Sequence, residues 1–409
     1  MKKSTIVQNK KIRLLGIFIG ITLLGIIIGS ISIKNVLVDQ EMKREDYSAG
    51  ANQNSGLIAN NIKKGITIGG ITGTLDSLDT SDANATPEDI AFGKTAYVDG
   101  VKITGTRKKK LADITGNETE NTETQDSLGN KVVVPGGFKV VNPNDNVEKG
   151  IIIEDVSAGN DYTKGSQFVW IPVGKIKTSS GEKTIDLGRY DFNSSGNIIQ
   201  VASNFIEETT QEHGNTIAKN INEFKESATV NGGYYIGRYE SGDALATDSS
   251  RGTSSSDRNP MVCKTGVYPY NWIEQSQAAN LCQNMYNSKN YTSDLINSYA
   301  WDTAIVFIQE CSGDKEYSMQ KRLQTTIAKC GESSNGTNKD VKCNIYDMAG
   351  CVREWTTETD TTDNDNCVAR GGAYFSNFYY TGYRYTASNS YNSGSIAYRP
   401  TLYLNLSNS

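Results

Sequence analysis

The C-terminal tail constrains the fold of this chain more than any other part. Between Ala373 and Ser393, 15 of 21 residues are Tyr, Phe, Asn or Ser. This mixture is too polar for a hydrophobic core and too aromatic for a linker. It is typical of a recognition surface, on which tyrosine supplies contact area at low entropic cost while asparagine and serine supply adaptable hydrogen bonds. The composition therefore predicts a binding surface carried by a folded domain.

A long uncharged stretch near the N-terminus predicts a membrane anchor. Residues 1–13 carry five basic side chains and no acidic one, and residues 14–33 are an uncharged run of 20 residues rich in Ile, Leu and Gly. At about 1.5 Å per residue, such a helix spans a hydrocarbon core of about 30 Å. The positive-inside rule then places residues 1–13 in the cytoplasm and the C-terminal domain outside the cell. We expect a single-pass membrane protein; a cleaved signal peptide is the alternative.

Charge and cysteine content argue against several classes of function. The net charge is −5 and the isoelectric point is about 5.3, so nucleic acid is not an expected partner. The chain has one histidine, His213, and its seven cysteines include no Cys-x-x-Cys pair, which argues against a zinc or iron site. Export permits disulfides, but the odd number leaves at least one thiol without an intrachain partner, and the spacing does not reveal the pairing.

Two related segments follow the predicted anchor. Residues 62–74 and 90–106 both end in Ile-Thr-Gly-Thr, and they are offset by 28 residues at the start (62 to 90) and 32 at the end (74 to 106). Each predicts a short helix end followed by a small hairpin. We therefore expect residues 50–106 to form a stalk of two short β-repeats that resemble repeats of phage-tail and other surface-fibre proteins. Residues 107–135, a basic cluster followed by an acidic polar run, are predicted to be a flexible linker.

Residues 136–409 are predicted to form one globular domain. Strands are expected at 137–141, 166–173 and 233–240. Apolar residues at helical spacing predict two helices, the second beginning after a capping Ser293. The first helix carries Ala278, Leu281, Cys282 and Met285, and the second carries Leu295, Tyr299, Ile305 and Ile308. Strands, helices and a tail rich in Gly and Asn together indicate an α+β domain with much irregular structure.

Six short motifs occur in one order along this domain. They are FVWIPV at 168–173, GYYIGRYE at 233–240, WD at 301–302, NIYDMAG at 344–350, EWT at 354–356 and RGG at 370–372. Together they resemble the formylglycine-generating-enzyme (sulfatase-modifying factor) family over residues 136–406. The resemblance implies the C-type-lectin-like fold of that family, which has few regular elements.

The resemblance does not extend to the residues that carry catalysis in that family. Catalytic members have two cysteines after the Arg-Gly-Gly motif, which bind metal and oxidise a substrate cysteine. In this chain Ser376 and Thr381 stand at those positions, and a hydroxyl cannot replace a thiolate in either task. The related iron-dependent sulfoxide synthases need several histidines, whereas this chain has one. We therefore expect a protein that is not an enzyme.

The turn that follows the NIYDMAG motif also departs from the family pattern. Cys351 stands where asparagine is usual, and Arg353 stands where tryptophan or another large apolar residue is common. Calcium prefers oxygen ligands, so a cysteine does not suit a calcium ion in this turn. We expect no cofactor and no metal; a structural calcium ion is the alternative. Glu354 and Trp355 are interpreted as a buried polar anchor and a core aromatic residue.

The tail also resembles the variable region of the target proteins of diversity-generating retroelements, which share this fold. There, adenine-directed mutagenesis scatters Asn, Tyr and Ser over fixed framework positions, and single base changes interconvert Asn with Tyr and Asn with Ser. The residues that resemble the framework are Arg370, Gly371, Gly372, Arg384, Arg399 and Leu402, with Glu354 and Trp355 beneath them. Those that resemble the exchangeable, ligand-binding surface are Tyr374, Ser376, Asn377, Tyr379, Tyr380, Tyr383, Tyr385, Asn389, Tyr391 and Asn392.

These patterns predict a membrane-anchored surface protein that binds a protein or carbohydrate ligand without catalysis. A binding role predicts that the tail tyrosines are exposed and coplanar. One alternative is a divergent formylglycine-type oxidoreductase, which requires a thiol pair close to Ser376 and Thr381. Another is a structural surface or phage-tail component, which predicts an apolar tail face.

Overall fold

The computed structural model describes residues 57–76, 80–248, 259–332, 339–362 and 366–406. The predicted anchor at 14–33 and the basic segment 1–13 lie outside these residues. Within the described ranges, no helix is both long and apolar enough to cross a membrane. By their internal contacts the described residues divide into two compact units, one within residues 1–84 and 97–101 and the other within residues 85–96 and 102–409.

The two related N-terminal segments have equivalent hydrogen bonds. The amide of Gly73 donates to the carbonyl of Ile66 at 2.9 Å, and the amide of Gly105 donates to that of Lys94 at 2.7 Å. The offset grows from 28 to 32 residues because each strand of the second segment is two residues longer. The strands are Thr67–Ile68 and Ile71–Thr72 in the first segment and Thr95–Val98 and Val101–Thr104 in the second, and 3-10 helices precede them at Ala59–Asn61 and Pro87–Asp89.

Both segments need a glycine at the same place. A Cβ atom at Gly73 would meet the carbonyl oxygen of Ile62 at 2.2 Å, and one at Gly105 would meet that of Ala91 at 2.3 Å. No side chain can be accommodated at such distances. Within each segment, the glycine therefore lets its strand pass directly against the backbone of the preceding residues. This close approach explains why both Ile-Thr-Gly-Thr sequences have glycine at the third position.

Residues 107–135 form strands in place of the predicted flexible linker. Val132 and Val134 are buried in the core of the second unit. The acidic polar run suggested a solvated segment, but Asp126, its last member, is buried. Its carboxylate accepts hydrogen bonds from the amides of Asn130 and Val147, each at 2.8 Å. The strands are Lys109–Lys110, Thr122–Gln125 and Lys131–Val134, and a 3-10 helix lies at Leu111–Asp113.

Two further sheets build most of the second unit. Their strands, in chain order, are β1 Phe138–Val140, β2 Ile152–Asp155, β3 Gln167–Pro172, β4 Phe205–Glu207, β5 Gly233–Gly237, β6 Tyr291–Leu295, β7 Arg353–Asp360, β8 Cys367–Arg370, β9 Arg384–Ala387, β10 Ile396–Tyr398 and β11 Pro400–Leu404. The first is a six-stranded antiparallel sheet of order β6-β11-β5-β3-β2-β1. The second has the order β4-β7-β8-β9, with β10 pairing in parallel with β7. The three strands predicted from the sequence correspond to β1, β3 and β5.

Three α-helices are formed by the described residues: α1 Ile221–Asn231, α2 Gln275–Gln283 and α3 Ser298–Cys311. The predicted cap of the third helix is wrong, because Ser293 lies on β6 beside β11. The side chain of Asn297 is the actual cap and accepts a hydrogen bond from the amide of Ala300 at 2.9 Å. Leu295 fits the helical spacing of apolar residues, but the segment that contains it pairs with β11 and forms a strand.

Short strand pairs and turns connect these elements. The second unit is mostly sheet with few helices, which agrees with the α+β class at a coarse level. The remaining strand pairs are Gly174–Thr178 with Gly181–Ile185, Asp191–Phe192 with Ile198–Ile199, Gly242–Asp243 with Met261–Val262, and Val341–Lys342 with Ile345–Tyr346; 3-10 helices lie at Val147–Lys149 and Tyr317–Met319. Trp170, Trp301 and Trp355 are fully buried and form part of the core.

Candidate ligand-binding face

Glu354 on β7 and Arg399, between β10 and β11, form a buried bidentate ion pair. Nε of Arg399 lies 2.9 Å from Oε2 of Glu354, and Nη2 lies 2.6 Å from Oε1. The guanidinium also donates to the carbonyls of Gly237 and Tyr346, each at 2.8 Å. All three of its nitrogens therefore have acceptors, which stabilises a cation that is fully removed from water.

A second buried ion network joins α3 to the sheet of β7, β8 and β9. Arg370 lies 2.6 Å from Asp302 and 3.2 Å from Glu358, and Arg384 lies 2.9 Å and 3.0 Å from the same two carboxylates. Arg189 adds a contact of 2.6 Å to Glu358. Burial raises the pKa of Glu358, but the three arginines outweigh burial and lower this pKa to about 2. The network thus holds both strands that flank the first part of the tail.

The two glycines after Arg370 are required by a close backbone approach. Gly371 has a φ of +92°, in the left-handed region that other residues rarely adopt. A Cβ atom at Gly372 would lie 2.0 Å from the carbonyl oxygen of Ala349. The predicted framework residues Glu354, Trp355, Arg370, Gly371, Gly372 and Arg399 are all buried, as is Leu402. They form the base on which the tail lies.

The loop from Tyr374 to Gly382 is attached to a neighbouring segment at both ends. The amide of Gln324 donates to the carbonyl of Tyr374 at 3.0 Å, and the amide of Thr381 donates to the carbonyl of Gln320 at 3.1 Å. These bonds satisfy backbone groups of a loop that belongs to neither main sheet. The loop is therefore positioned by its ends, and its intervening side chains are left for the surface.

Eight aromatic rings of the described tail form one connected surface, which we call the aromatic face. Neighbouring ring centroids are 5.2–6.3 Å apart and the ring planes are tilted by 50–88°. Such edge-to-face contacts suit the ring quadrupole and stabilise the arrangement. The members of the aromatic face are Tyr374, Phe375, Phe378, Tyr379, Tyr380, Tyr383, Tyr385 and Tyr391.

The expectation of exposed, coplanar tyrosines is wrong. All six tyrosines of the aromatic face are half-buried, and the planes of Tyr379 and Tyr385 meet at 88°. The physical reason is that these rings pack on one another, and a perpendicular contact is more favourable than a flat array. The structure does bring the predicted tyrosines together, but as a packed layer with partly exposed edges.

Two phenylalanines that the sequence prediction left out are the most exposed members of the face. Phe375 is 53% exposed and Phe378 is 71% exposed, whereas large apolar side chains are normally covered. A signal for them was present, because both contribute to the aromatic composition of the tail. They are absent from the predicted surface because that set contains only Tyr, Asn and Ser.

The predicted polar members of the surface are not all near the rings. Ser376 and Asn377 lie in the tail loop, and Asn392 lies beside Tyr391. Asn389 is exposed but lies just beyond the end of β9. Its side-chain nitrogen is close to Gly214, 3.8 Å from where a Cβ atom on that glycine would stand. The structure therefore groups the predicted tyrosines and places Asn389 at their margin.

Ser376 and Thr381 both make hydrogen bonds within the loop and its anchor. Oγ of Ser376 accepts from the amide of Phe378 at 3.1 Å, and Oγ1 of Thr381 donates to the carbonyl of Gln320 at 3.3 Å. Each of the seven cysteines, all within the described ranges, is a free thiol. Cys351 lies beneath Tyr374 in a small apolar cluster, and burial raises the pKa of its thiol well above the usual range.

Arg353, at the start of β7, lies directly beneath the aromatic face. Its guanidinium carbon is 3.8 Å from the ring centroid of Tyr385 and 4.7 Å from that of Tyr379. The side chain is buried, and Nη2 donates to Oγ of Ser395 at 2.8 Å. Sequence reasoning noted Arg353 only as a departure from a family pattern and did not include it among the site residues.

The comparisons with known proteins give distant likenesses only. No family model and no curated protein matches the chain. Treponema denticola variable protein 1 is 12% identical with a TM-score of 0.29, and the match covers 57% of this chain and 95% of that protein. CarF is 12% identical with a TM-score of 0.30, covering 57% and 97%. Likenesses at these values do not reveal what this chain binds, and the resemblance to the formylglycine-generating-enzyme family remains a prediction.

Proposed function

We propose that this chain is a membrane-anchored surface protein that binds a protein or carbohydrate ligand, without catalysis, through the aromatic face. We further propose that the tail is a variable region of the kind that diversity-generating retroelements produce. The anchor is the segment 14–33, which leaves the domain outside the cell. Binding is non-covalent: rings bury apolar area while tyrosine hydroxyls and the nearby Ser376 and Asn377 orient the ligand.

One observation carries the proposal: a partly exposed, connected layer of eight rings rests on a base of fully buried ion pairs. Aromatic side chains dominate the energetics of many interfaces because they bury large areas with few rotatable bonds. A base that is already ordered lowers the entropic cost of binding. The combination is thus suited to recognition by a preformed surface.

The division of contacts supports a variable tail. The ion pairs beneath the face are formed by Glu354, Glu358, Arg370, Arg384 and Arg399 with their partners, and none of the ten predicted exchangeable residues contributes to an ion pair among the described residues. Exchange of an exposed residue therefore changes the surface without removing a buried charge. This is the property that repeated diversification requires.

Two features support a role without catalysis. The hydroxyl side chains of Ser376 and Thr381 make local hydrogen bonds, and they stand where a thiol pair would be needed. Cys351, a thiol close to the aromatic face, is buried with a raised pKa, which disfavours the reactive thiolate.

The binding proposal is tested by removing four rings at once. The full chain in detergent is applied to glycan and surface-protein arrays, and the best array ligand is then titrated against wild type and a Tyr379→Ala, Tyr380→Ala, Tyr383→Ala and Tyr391→Ala variant. We expect affinity to fall by a hundredfold or more, because a single central ring contributes about 2 kcal/mol or more at many interfaces.

The matched control is a Tyr97→Ala and Tyr162→Ala variant, which removes two exposed tyrosines outside the face. It should bind as wild type does. Retained affinity in the four-ring variant, with an unchanged unfolding midpoint, would sink the assignment of the face. The diversification proposal has a separate test: an imperfect copy of the 3′ end that differs only at adenines, beside a reverse-transcriptase gene, is expected in the surrounding DNA.

A structural role is the second candidate, and the exposed Phe375 and Phe378 favour it. If the domain packs against a neighbour through these rings, a Phe375→Ser and Phe378→Ser variant should lower its self-association. Sedimentation velocity of the full chain in detergent measures this. A wild-type chain that stays monomeric while it binds an array ligand argues for recognition over packing.

A further inference from the structure

Arg353 differs from the other buried arginines of the domain in having no carboxylate partner among the described residues. Arg370, Arg384 and Arg399 each have carboxylate oxygens within 3.0 Å. Arg353 is only 3% exposed, yet its Nη2 atom donates to a neutral hydroxyl, that of Ser395. Its Nε and Nη1 atoms have no hydrogen-bond partner among the described residues. Within the described part of the chain, a cation beneath the aromatic face is therefore left without an anion.

An uncompensated buried charge is costly, because the protein interior replaces only part of the hydration that the ion loses. The rings of Tyr385 and Tyr379 offset some of that cost, since a guanidinium is attracted to the face of an aromatic ring. Nε and Nη1 still have no acceptor among the described residues. An anion that reaches this position would complete the site.

The charges around the aromatic face also favour an anion. From Gly371 to the C-terminus the chain has no Asp or Glu. The neighbouring segment that holds the tail loop contributes Lys321, which is exposed, and Arg322, which is half-buried. Asp191 lies at the margin and faces Arg384 at 3.8 Å. Glu240 accepts a hydrogen bond from the amide of Val352 at 3.1 Å, and burial raises the pKa of this carboxyl, which favours its neutral form. The C-terminal segment that carries the face thus contributes arginines but no acidic side chain, although the chain as a whole is negative.

We propose that the aromatic face selects a ligand group that carries a carboxylate next to an apolar or aromatic moiety, and that Arg353 is the residue that recognises the carboxylate. This inference rests on the proposed binding function and specifies its ligand chemistry. The half-buried ring of Tyr385 turns aside to admit the carboxylate to Nε and Nη1, while Phe375 and Phe378 contact the apolar part. A planar guanidinium is well suited to bidentate carboxylate recognition.

The position of Arg353 gives this preference a further property. The residue lies on β7 and outside the tail segment 373–393, so exchange of tail residues leaves it in place. Different tails would then present different surfaces around one constant cationic centre. The preference for an acidic group is therefore a property of the domain, and the surrounding rings determine which acidic ligand is bound.

Two small probes test the proposal on the full chain in detergent. N-acetylphenylalanine supplies a carboxylate beside an aromatic ring, and N-acetylphenylalaninamide is its neutral match. Ligand-observed NMR titrations should show that the acid binds about tenfold or more tightly than the amide, as expected for a charge pair in a partly buried site. N-acetylneuraminate forms a third arm, in which Arg353-dependent binding tighter than that of the acid would identify an acidic carbohydrate as the source of the carboxylate.

The variants separate the charge of Arg353 from its packing. R353W restores a large residue at this position and should abolish the preference for the acid over the amide. R353Q keeps a hydrogen-bond donor without the charge and should also lose the preference for the acid. It replaces R353W as the test if R353W does not fold. R353K should keep part of it, because the charge remains while the bidentate geometry is lost.

Three results would overturn the inference: equal binding of the acid and the amide to wild type, a preference that survives in R353W or R353Q, or no detectable binding of any probe. These results are distinguishable from failure of the proposed function. An array ligand that depends on the four tyrosines but not on Arg353 leaves the binding face intact and removes only the carboxylate preference. An array ligand that is indifferent to the tyrosines removes the face itself.

Discussion

The aromatic face and the ion pairs beneath it are neighbours in space but are held together in different ways. The rings contact one another edge to face and are half-exposed, so each contributes modestly and can be exchanged. Beneath them, Glu354 and Arg399 are fully buried and share two short contacts, so neither can be removed alone without leaving a buried charge. The domain thus separates a surface layer that tolerates exchange from a buried layer that does not.

This difference has a physical lesson for surfaces that vary. Exposed polar and aromatic residues lose little when they are replaced, since water takes over their contacts. Buried charges have no such replacement. A fold that places its ionic network below an exposed layer can therefore accept many surfaces with one core.

The largest expected effect comes from breaking the buried pair. Glu354→Ala should lower the free energy of unfolding by about 3–5 kcal/mol, because Arg399 is left charged and buried. Guanidinium unfolding followed by tryptophan fluorescence measures the change. As a control, Glu182→Ala removes one partner of the exposed Lys175–Glu182 pair, which is 2.9 Å long, and should cost less than about 1 kcal/mol. Equal losses in the two variants would contradict the distinction between layers.

A slightly smaller effect is expected at the second network, and it depends on pH. The folded pKa of Glu358 is about 2, below its ordinary value of 4.5. Its stabilisation is therefore present above pH 4.5 and is lost as the pH falls toward 2. Wild type should exceed Glu358→Gln by about 3 kcal/mol at pH 7, and the difference should shrink between pH 4.5 and pH 2. A difference that does not vary with pH would refute the assignment of this carboxylate as the charged centre.

The smallest effect is expected for exposed residues of the tail. Asn389→Ala and Asn392→Ala remove exposed or half-exposed amides of the tail, and each should change the free energy of unfolding by less than about 0.5 kcal/mol. Urea unfolding of the two single variants is sufficient. A loss near 2 kcal/mol at either position would mean that the tail contributes to the base and is not freely exchangeable.

Much of this division was predictable from residue types. Arg370, Gly371 and Gly372 were interpreted as framework, and they are buried. The tyrosines from Tyr374 to Tyr391 were interpreted as surface, and they do lie together at the surface. The prediction of coplanar rings was wrong because the sequence does not show which rings contact one another. Whether two ring planes are parallel or tilted depends on those contacts.

The prediction of a flexible linker at residues 107–135 failed for the same reason, because the sequence does not show contact partners. Residues 107–135 have a polar composition that is common in flexible segments, yet Asp126 accepts hydrogen bonds from residues before and after the next strands. Composition shows that a side chain can be solvated but does not show that it has a buried partner. A polar residue with a satisfied carboxylate is compatible with the interior.

By itself, the sequence determined which residues can be buried, which positions need glycine and where an aromatic surface lies. It could do so because those properties belong to single residues and short segments. The tertiary structure alone decided which charges are paired, since Arg370 finds Asp302 across 68 residues of chain. It also decided that Arg353 has rings above it and, among the described residues, no carboxylate beside it. Burial and pairing depend on contacts between segments, which the linear order does not specify.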